Sequence, residues 1–331
     1  MNKKDEPLSY EEAINKAANA IYRFPLIEVQ GVPLMNWVAQ NWSSVWAFCP
    51  NPSDLLISTY PKAGTTWTQE IVDLLLHNGD AEICGRAPTV VRSPFLEMNS
   101  PPPIPSEGYC VTSPYREIVL GRHTGRPGMD LLKTMKPPRL IKTHLPIQLV
   151  PEGFWENKCK VIYVARNAKD NLVSYYHFDQ MNLTQPEPGS WEEYIQKFMK
   201  GKLGWGSWYD HVKGYWKERE KRNILYLFYE DMKENPRREI VRIMQYLDLS
   251  LSDDIINKVM ELTSFNVMKN NPMANYSFIP KPVFDNSISA FMRKGEVGDW
   301  TNYFTPAQSQ MFDEDYARQM ADVDIPFRTN I

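Results

Sequence analysis

The chain has 331 residues, 43% of them hydrophobic, and a formal net charge of −3 at pH 7. This length and composition allow a large buried core in one domain or two. The negative charge argues against a general nucleic-acid-binding protein, because any polyanion would have to be held by a local cluster of lysine and arginine. No stretch approaches the roughly 18 apolar residues of a membrane span, and the N-terminus lacks a signal-peptide apolar segment. We therefore expect a cytoplasmic protein without a membrane partner.

The cysteines Cys49, Cys84, Cys110 and Cys159 are widely spaced and form no C-x-x-C pair. This spacing suits reduced thiols and predicts no zinc or other metal site. Near the N-terminus, Ser9 and Glu12 form a plausible capping box for a helix that ends at about Ala20.

The strongest structural signal lies between Asp54 and Asn78. Leu55 to Thr59 reads as a buried strand, and Thr65 to His77 carries apolar residues at helical spacing. The tight turn between them points unpaired backbone N–H groups at one spot, and Lys62 adds a charge there. This arrangement predicts a phosphate or sulfate site, although glycine-containing turns of this kind are also common without a ligand. The nucleoside-triphosphate loop template is not matched, because its lysine follows the last glycine, which disfavours an ordinary ATPase or kinase.

The stretch from Gly85 to Gly128 is irregular and rich in proline, which is typical of a lid or a disordered segment. It leads into a short strand from Arg139 to Pro146. Lys142 and His144 are two residues apart and therefore share a face of the extended chain. His144 is a candidate general base, with a purely structural role as the alternative.

A second buried strand, Lys160 to Ala165, ends at Arg166, where a magnesium-dependent nucleotidase would be expected to carry an aspartate. Arg166 and Ser174 offer a guanidinium fork and a hydroxyl for a second phosphate. The alternative is that Arg166 simply pairs with a neighbouring carboxylate such as Asp170.

A third buried strand is predicted from Asn223 to Tyr229, and helices are predicted within Trp191 to Lys221 and over Pro236 to Leu247 and Ser252 to Leu262. Alternating strands and helices without a linker predict one α/β domain over residues 1–331, with a mainly parallel central sheet flanked by helices. Ligands of such sheets bind at the carboxyl ends of the strands. Near the C-terminus, Arg293 and Lys294 precede Gly295 and form another candidate anion-binding loop, or else a solvated basic turn.

The motifs TYPKAGTTW, RNAKDNLVSYYHF and FMRKGEVGDW follow one another in the chain. Together with KTHLP, YEDM and TSFNVM they resemble the cytosolic sulfotransferases, most closely the phenol (aryl) branch. The likeness extends from about Phe24 to Met320. It implies transfer of the sulfuryl group of 3′-phosphoadenosine 5′-phosphosulfate (PAPS) to a hydroxyl or amine, with a phosphate-binding loop that resembles a P-loop and no metal.

The resemblance also implies residue roles. The general base would be His144, assisted by Lys62 and Lys142. The donor-binding residues would be Lys62, Ala63, Gly64, Thr65, Thr66, Trp67, Arg166, Ser174, Tyr229, Thr263, Ser264, Phe265, Met268, Phe291, Met292, Arg293, Lys294 and Gly295. The acceptor-binding residues would be Phe95, Lys142, Thr143, His144 and Phe178.

The chain departs from this family in three places. Met98 and Val38 stand where phenol-type members often carry phenylalanine, so we expect a wider or less stacked acceptor slot. A segment of about 20 residues, 107–128, is inserted beside the acceptor entrance, a length more typical of a functional or disordered loop. The dimerisation motif is altered at Thr301, Pro306 and Gln310, which favours a monomer or weak homodimer.

The leading hypothesis is therefore an aryl sulfotransferase of small phenols, with relevance to xenobiotic and hormone metabolism. Its acceptors could instead be steroids, amines or thyroid hormones. A nucleotide kinase is disfavoured by the position of Lys62 and by Arg166. A nucleotide-binding protein of the same fold with a blocked acceptor site is the remaining alternative.

Overall fold

The computed structural model describes residues 23–98, 128–279 and 281–329. The predicted helix from Ser9 to Ala20 and the predicted insertion at 107–128 lie outside these residues, apart from Gly128, which begins a helix. The strands are β1 Leu26–Val29, β2 Val32–Met35, β3 Leu55–Thr59, β4 Leu140–Thr143, β5 Lys160–Ala165 and β6 Ile224–Phe228.

The centre of the fold is a four-stranded parallel sheet in the order β4-β3-β5-β6. The predicted bounds of β3 and β5 are confirmed, whereas β4 covers only Leu140–Thr143 and is shorter at both ends than the predicted strand from Arg139 to Pro146. β6 is shorter than the predicted strand, because Tyr229 already begins a helix. The predicted α/β class, with a parallel sheet flanked by helices, is confirmed.

The two faces of the sheet carry different cores, as the two-residue period of a strand requires. Leu55 and Ile57 face an aliphatic cluster that includes Ile71 and Val72 of the following helix. Leu56 faces the opposite, larger cluster, which is rich in buried tyrosine and tryptophan. Because both faces are covered, the strands read as continuous apolar runs rather than as alternating patterns.

The helices cover these faces, and polar caps fix where several begin. Ser252 caps its helix as predicted, and Asn235 caps the helix that begins at Pro236. No helix in the described ranges has the length and apolarity needed to cross a bilayer. The helices are Asn36–Gln40, Trp42–Trp46, Thr65–Leu76, Ala81–Cys84, Thr89–Arg92, Gly128–Thr134, Gly153–Glu156, Ala168–Met181, Trp191–Met199, Trp208–Glu218, Tyr229–Glu234, Pro236–Tyr246, Asp253–Leu262, Phe265–Asn270 and Pro306–Gln319, with 3₁₀ turns at Ile147–Leu149 and Asp299–Asn302.

A β-hairpin that the sequence analysis did not identify precedes the sheet. β1 and β2 pair antiparallel, and Gln30 and Gly31 form the two-residue turn between them with φ of 49° and 80°. Two successive positive φ values are typical of the turn that matches the twist of a hairpin. The hairpin leads into Trp37, which lies on the wall of the cavity described below.

Candidate active site

The turn between β3 and the helix Thr65–Leu76 leaves the first amides of that helix without a side-chain cap. Gly64 precedes the helix with a φ of 105°. A Cβ at Gly64 would lie 2.9 Å from the ring of Tyr229, so a larger residue does not fit there. Unpaired N–H groups and the positive end of the helix dipole are therefore directed into the neighbouring cavity.

Lys62 brings a cation to the same place. Its Nζ lies 4.0 Å from the ring centroid of Phe291 and 4.6 Å from that of Phe178, and it donates to the carbonyl of Phe291. Burial, together with the nearby charges of Lys142 and Arg166, lowers the pKa of Lys62 to about 7. The amine of Lys62 is thus held by a carbonyl oxygen and two ring faces. An anion bound beside it would raise its pKa again and keep it protonated.

Arg166, at the carboxyl end of β5, is held by backbone oxygens. Its guanidinium donates to the carbonyls of Lys62 and Glu296, at 3.2 and 3.0 Å, and stacks 4.5 Å from the ring centroid of Tyr229. Asp170, the alternative ion-pair partner considered above, instead accepts from the amides of Gly298 and Trp300. Asp170 therefore anchors the C-terminal loop against the helix that follows Arg166.

That loop carries the adjacent cations. The guanidinium of Arg293 and the ammonium of Lys294 both bind the carboxylate of Asp299, which also accepts from Asn302. Burial opposes ionisation of Asp299, but these hydrogen bonds dominate and lower its pKa to about 2. A Cβ at Gly295 would lie 2.3 Å from the ring of Phe265, so glycine is needed there. Asp299 thus fixes the two cations before any ligand binds.

His144 lies on the opposite side of the cavity, at the end of β4. Its Nδ1 is 2.8 Å from the carbonyl oxygen of Thr59, which can only accept, so Nδ1 carries the proton and Nε2 keeps its lone pair. Burial, with the charge of Lys142, holds the pKa of His144 well below its usual range. The ring is therefore a neutral imidazole that can accept a proton at Nε2.

Glu97, which was not identified from the sequence, accepts hydrogen bonds from three residues around the imidazole of His144. The carboxylate is fully buried, and Oε1 accepts from the backbone N–H of His144 at 2.7 Å and from Nε1 of Trp205 at 3.1 Å. Oε2 accepts from the hydroxyl of Thr143 at 2.8 Å. One carboxylate thus holds the main chain at the histidine and one aromatic wall of the cavity.

Flat aromatic surfaces surround the imidazole. The rings of Phe95 and Trp205 are stacked 6.1 Å apart, and both meet the ring of His144 edge-on. Lys142 lies with its Nζ 4.3 Å from the centroid of Phe95. Burial lowers the pKa of Lys142 to about 8, against the opposing attraction of Glu97.

The cations, His144 and the aromatic rings described above border one cavity of about 290 Å³, whereas the carboxylates Glu97, Asp170 and Asp299 are not part of its lining. Ala63, Thr143 and Ser264 are the predicted site residues that do not line it: the side chains of Ala63 and Thr143 are fully buried, and Ser264 is exposed. Met98 lines the cavity, whereas Val38 lies in the core. Residues that the sequence analysis did not assign to the site also line it, and they include Trp37, Asn182, Thr184, Gln185, Trp205, Lys233, Tyr276, Phe278 and Phe284.

One further cluster has ligand types that could suit a metal ion. Single side-chain atoms of Asp73, His77 and Cys84 lie within 4.8 Å of one another. The guanidinium groups of Arg86 and Arg92 both bind Asp73, however, so cations of the protein already neutralise this carboxylate. The cluster is therefore explained as a buried ion-pair network.

Comparison with known proteins agrees with this geometry. A family model described as "Sulfotransferase domain" matches residues 52–324. Sulfotransferase 1 family member D1 of Mus musculus is 49% identical over 94% of this chain and 98% of its own length. Sulfotransferase 1C2 of Homo sapiens is 49% identical over 91% of this chain and 95% of its own length.

Solved structures share the fold. A mouse sulfotransferase, SULT7A1, complexed with PAP has a TM-score of 0.69 and 27% identity, covering 90% of this chain and 95% of its own. A retinol dehydratase complexed with androsterone and the inactive cofactor PAP has a TM-score of 0.76 at 23% identity, covering 96% of this chain and 95% of its own. The extent of the family match and the identity to family 1 relatives show that this chain belongs to the sulfotransferase family.

Proposed function

We propose that this protein transfers the sulfuryl group of PAPS to the hydroxyl of small phenolic acceptors. The observation that carries the proposal is the meeting, in one cavity, of an uncapped helix N-terminus with cations and a neutral histidine whose Nε2 has no hydrogen-bond partner among the described residues. Membership of the sulfotransferase family and the PAP-bound structure of a relative support the donor.

The cations divide into two groups that suit the two ends of the donor. Lys62 and the amides from Gly64 onward would bind the 5′-phosphosulfate. Arg166, Ser174, Arg293 and Lys294 would bind the 3′-phosphate, since guanidinium forks match phosphate oxygens. The aromatic and polar residues Trp67, Tyr229, Thr263 and Phe265 line the rest of the cavity and would enclose the adenosine.

In the transfer step, Nε2 of His144 would take the proton of the acceptor hydroxyl while the oxygen of that hydroxyl forms a bond to sulfur. The bond from sulfur to the bridging oxygen breaks, and the phosphate leaves with the electron pair. Lys62 and the helix amides would neutralise the developing charge, and Lys142 would stabilise the transferring oxygens. General-base catalysis of this kind typically contributes about 100- to 10,000-fold to the rate.

The acceptor class is proposed from the walls near His144. Phe95 and Trp205 form a flat aromatic pair, and Phe178 lies close to Lys62, which suits a planar phenol ring. Family 1 relatives with the printed names 1D1, 1B1, 1C2 and 1A1 are all similar to this chain, so their names do not single out an acceptor.

The test is a turnover assay with PAPS and simple phenols, accompanied by calorimetric binding of PAP. His144→Ala should abolish turnover and retain PAP binding, whereas Arg293→Ala should mainly weaken PAP binding. His77→Ala, outside the cavity, is the matched control. Strong residual turnover in His144→Ala would contradict the role of the base, and unchanged PAP affinity in Arg293→Ala would contradict the phosphate site. PAP binding without any turnover would favour a nucleotide-binding protein.

A further inference from the structure

We propose that the cavity contains a polar subsite, formed by Asn182, Thr184 and Gln185, that selects phenols carrying a second, uncharged hydrogen-bonding group. This inference rests on the proposed transfer to phenols and specifies which phenols fit. The three residues line the same cavity as His144 and follow directly on the helix that carries Phe178.

Gln185 is the residue that calls for a ligand. The side chain is 96% buried, with 4% of its surface exposed, and its Oε1 has no hydrogen-bond partner among the described residues. A buried polar atom left unpaired destabilises a folded protein, and native structures contain few of them. Oε1 itself has almost no accessible surface, so a rotation of the terminal amide is needed to present it to the cavity. Since an amide offers both an acceptor and donors, a group that can donate and accept, such as a hydroxyl or an amide, is then the matching partner.

The neighbouring side chains are arranged to leave further donors free. The amide oxygen of Asn182 already accepts from both the backbone N–H and the hydroxyl of Thr184. Its oxygen is therefore occupied, whereas its side-chain N–H groups donate to none of the described residues and can serve a ligand. Asn182 and Thr184 are both buried and both line the cavity, so with Gln185 they form an uncharged polar part of its wall.

The wall is also held rigidly. The guanidinium of Arg23 donates to the backbone carbonyls of Asp179, Gln180, Asn182, Gln185 and Pro186. On the other side, the backbone amide of Leu183 donates to the carbonyl of Val283, and the backbone amide of Asp285 donates to the carbonyl of Met181. A segment whose backbone is fixed on two sides cannot easily turn Gln185 outward to water. The subsite is therefore preorganised, which favours specific recognition.

The charges around the cavity decide which kind of group fits. None of the described residues that line it is an aspartate or glutamate, whereas Lys62, Lys142 and Arg166 are among them. A positively charged ammonium on the acceptor would meet these cations, whereas the buried Asp179, which interacts with Lys62, does not line the cavity. A neutral hydroxyl or amide would instead pair with Gln185 without a charge penalty. The subsite thus discriminates between neutral and cationic phenols of equal size.

The experiment uses three phenols of equal length that differ only in their last group: 4-propylphenol, 4-(2-hydroxyethyl)phenol and tyramine. We expect kcat/KM to be highest for the hydroxyethyl compound and lowest for tyramine. Gln185→Met keeps the length of the side chain and removes its polarity. It should lower the ratio of kcat/KM for hydroxyethyl over propyl by about three- to tenfold, as expected for one neutral hydrogen bond.

Thermal unfolding separates a binding role from a structural one. Removing an unpaired buried amide should raise the Tm of the ligand-free protein, by about 1–3 °C for a chain of this size. If Gln185 were a structural residue, its replacement would lower Tm. Gln245→Met, at an exposed glutamine outside the cavity, is the matched control and should change neither the ratio nor Tm.

An unchanged hydroxyethyl-to-propyl ratio in a folded Gln185→Met variant would overturn the inference, as would a lowered Tm. A water molecule that satisfied the amide without involving the acceptor would give that unchanged ratio. If none of the three phenols is sulfated, the proposed function fails instead. In that case, dissociation constants of the three phenols for the PAP-saturated protein still test the subsite, through the same ratio.

Discussion

Glu97 is the buried residue whose replacement has the most specific expected consequences. Its carboxylate is fully buried and accepts hydrogen bonds from His144, Trp205 and Thr143, at 2.7, 3.1 and 2.8 Å. Glu97→Gln keeps Oε1, so the bonds from the main chain of His144 and from the indole can persist. The new N–H group can donate to Thr143, since a hydroxyl accepts as well as donates.

The two obvious substitutions should differ in size. Glu97→Ala leaves three buried donors unpaired at about 1–3 kcal/mol each, so we expect the unfolding free energy to fall by about 3–5 kcal/mol. A displacement of His144 by about 1 Å could cost about 100-fold in kcat. Glu97→Gln loses only the charge-assisted part of these bonds, on the order of 1 kcal/mol, so kcat should fall by about fivefold.

The ionisation of Glu97 gives the prediction a second readout. Burial raises the pKa of Glu97 from 4.5 to about 7. The folded protein therefore holds a proton between pH 4.5 and 7 that the unfolded chain has released. Stability should fall as the pH rises through this window, by up to about 3 kcal/mol, and then level off. Glu97→Gln cannot ionise, so this component of the pH dependence should disappear.

Urea unfolding of the wild type and Glu97→Gln at pH 5 and pH 8, together with steady-state turnover, measures both effects. Glu261→Gln, at an exposed glutamate, controls for the substitution itself. A Glu97→Gln variant with wild-type kcat and a wild-type difference in stability between the two pH values would refute the reasoning. If only the stability and its pH dependence changed, with kcat at the wild-type value, the raised pKa of Glu97 would be supported. The proposal that Glu97 positions His144 would then be refuted.

Two further predictions concern the donor site and assembly. PAP affinity should fall as the pH rises from 6 to 8.5, because burial and neighbouring cations lower the pKa of Lys62 to about 7 and the neutral amine no longer attracts the phosphate. Calorimetry should show this loss in the wild type and a smaller one in Lys62→Met, whereas a pH-independent wild-type affinity would exclude the mechanism. The altered motif residues Thr301, Pro306 and Gln310 are exposed, and Pro306 begins a helix, so light scattering at micromolar concentration should give a monomer or weak dimer. A tight dimer would contradict this.

The placement of Lys62, His144 and Arg166 could be derived from the sequence because of one property of parallel sheets. Each follows a strand, and the carboxyl ends of parallel strands share one edge of the sheet. β4, β3 and β5 are neighbours in the sheet order, so their following residues meet. The buried apolar runs identified these strands, and the turn at Gly64 predicted an anion site beside them.

Glu97 and Trp205 could not be found in the same way. Glu97 follows no predicted strand, and its partners His144 and Trp205 lie 47 and 108 residues further along the chain. A contact between irregular segments has no periodic signature, and Trp205 lies in a turn with a φ of 64°, outside any helix or strand. The glycine at position 31 is a signal for the hairpin turn, but the two strands beside it have only four residues each and the second contains Pro33.

The cations Lys62, Lys142 and Arg166 serve two requirements of the proposed site: attraction of an anionic donor and a histidine that stays unprotonated. Lys62 and Arg166 are held by backbone carbonyls rather than by carboxylates, so their charge remains available to a phosphate. The charge of Lys142, together with burial, also keeps His144 unprotonated. Glu97 moderates Lys142 from behind while holding the main chain of His144 in place. Binding an anionic donor and keeping a neutral base thus follow from one distribution of charge, in which the acid groups lie behind the cavity wall and the basic groups line it.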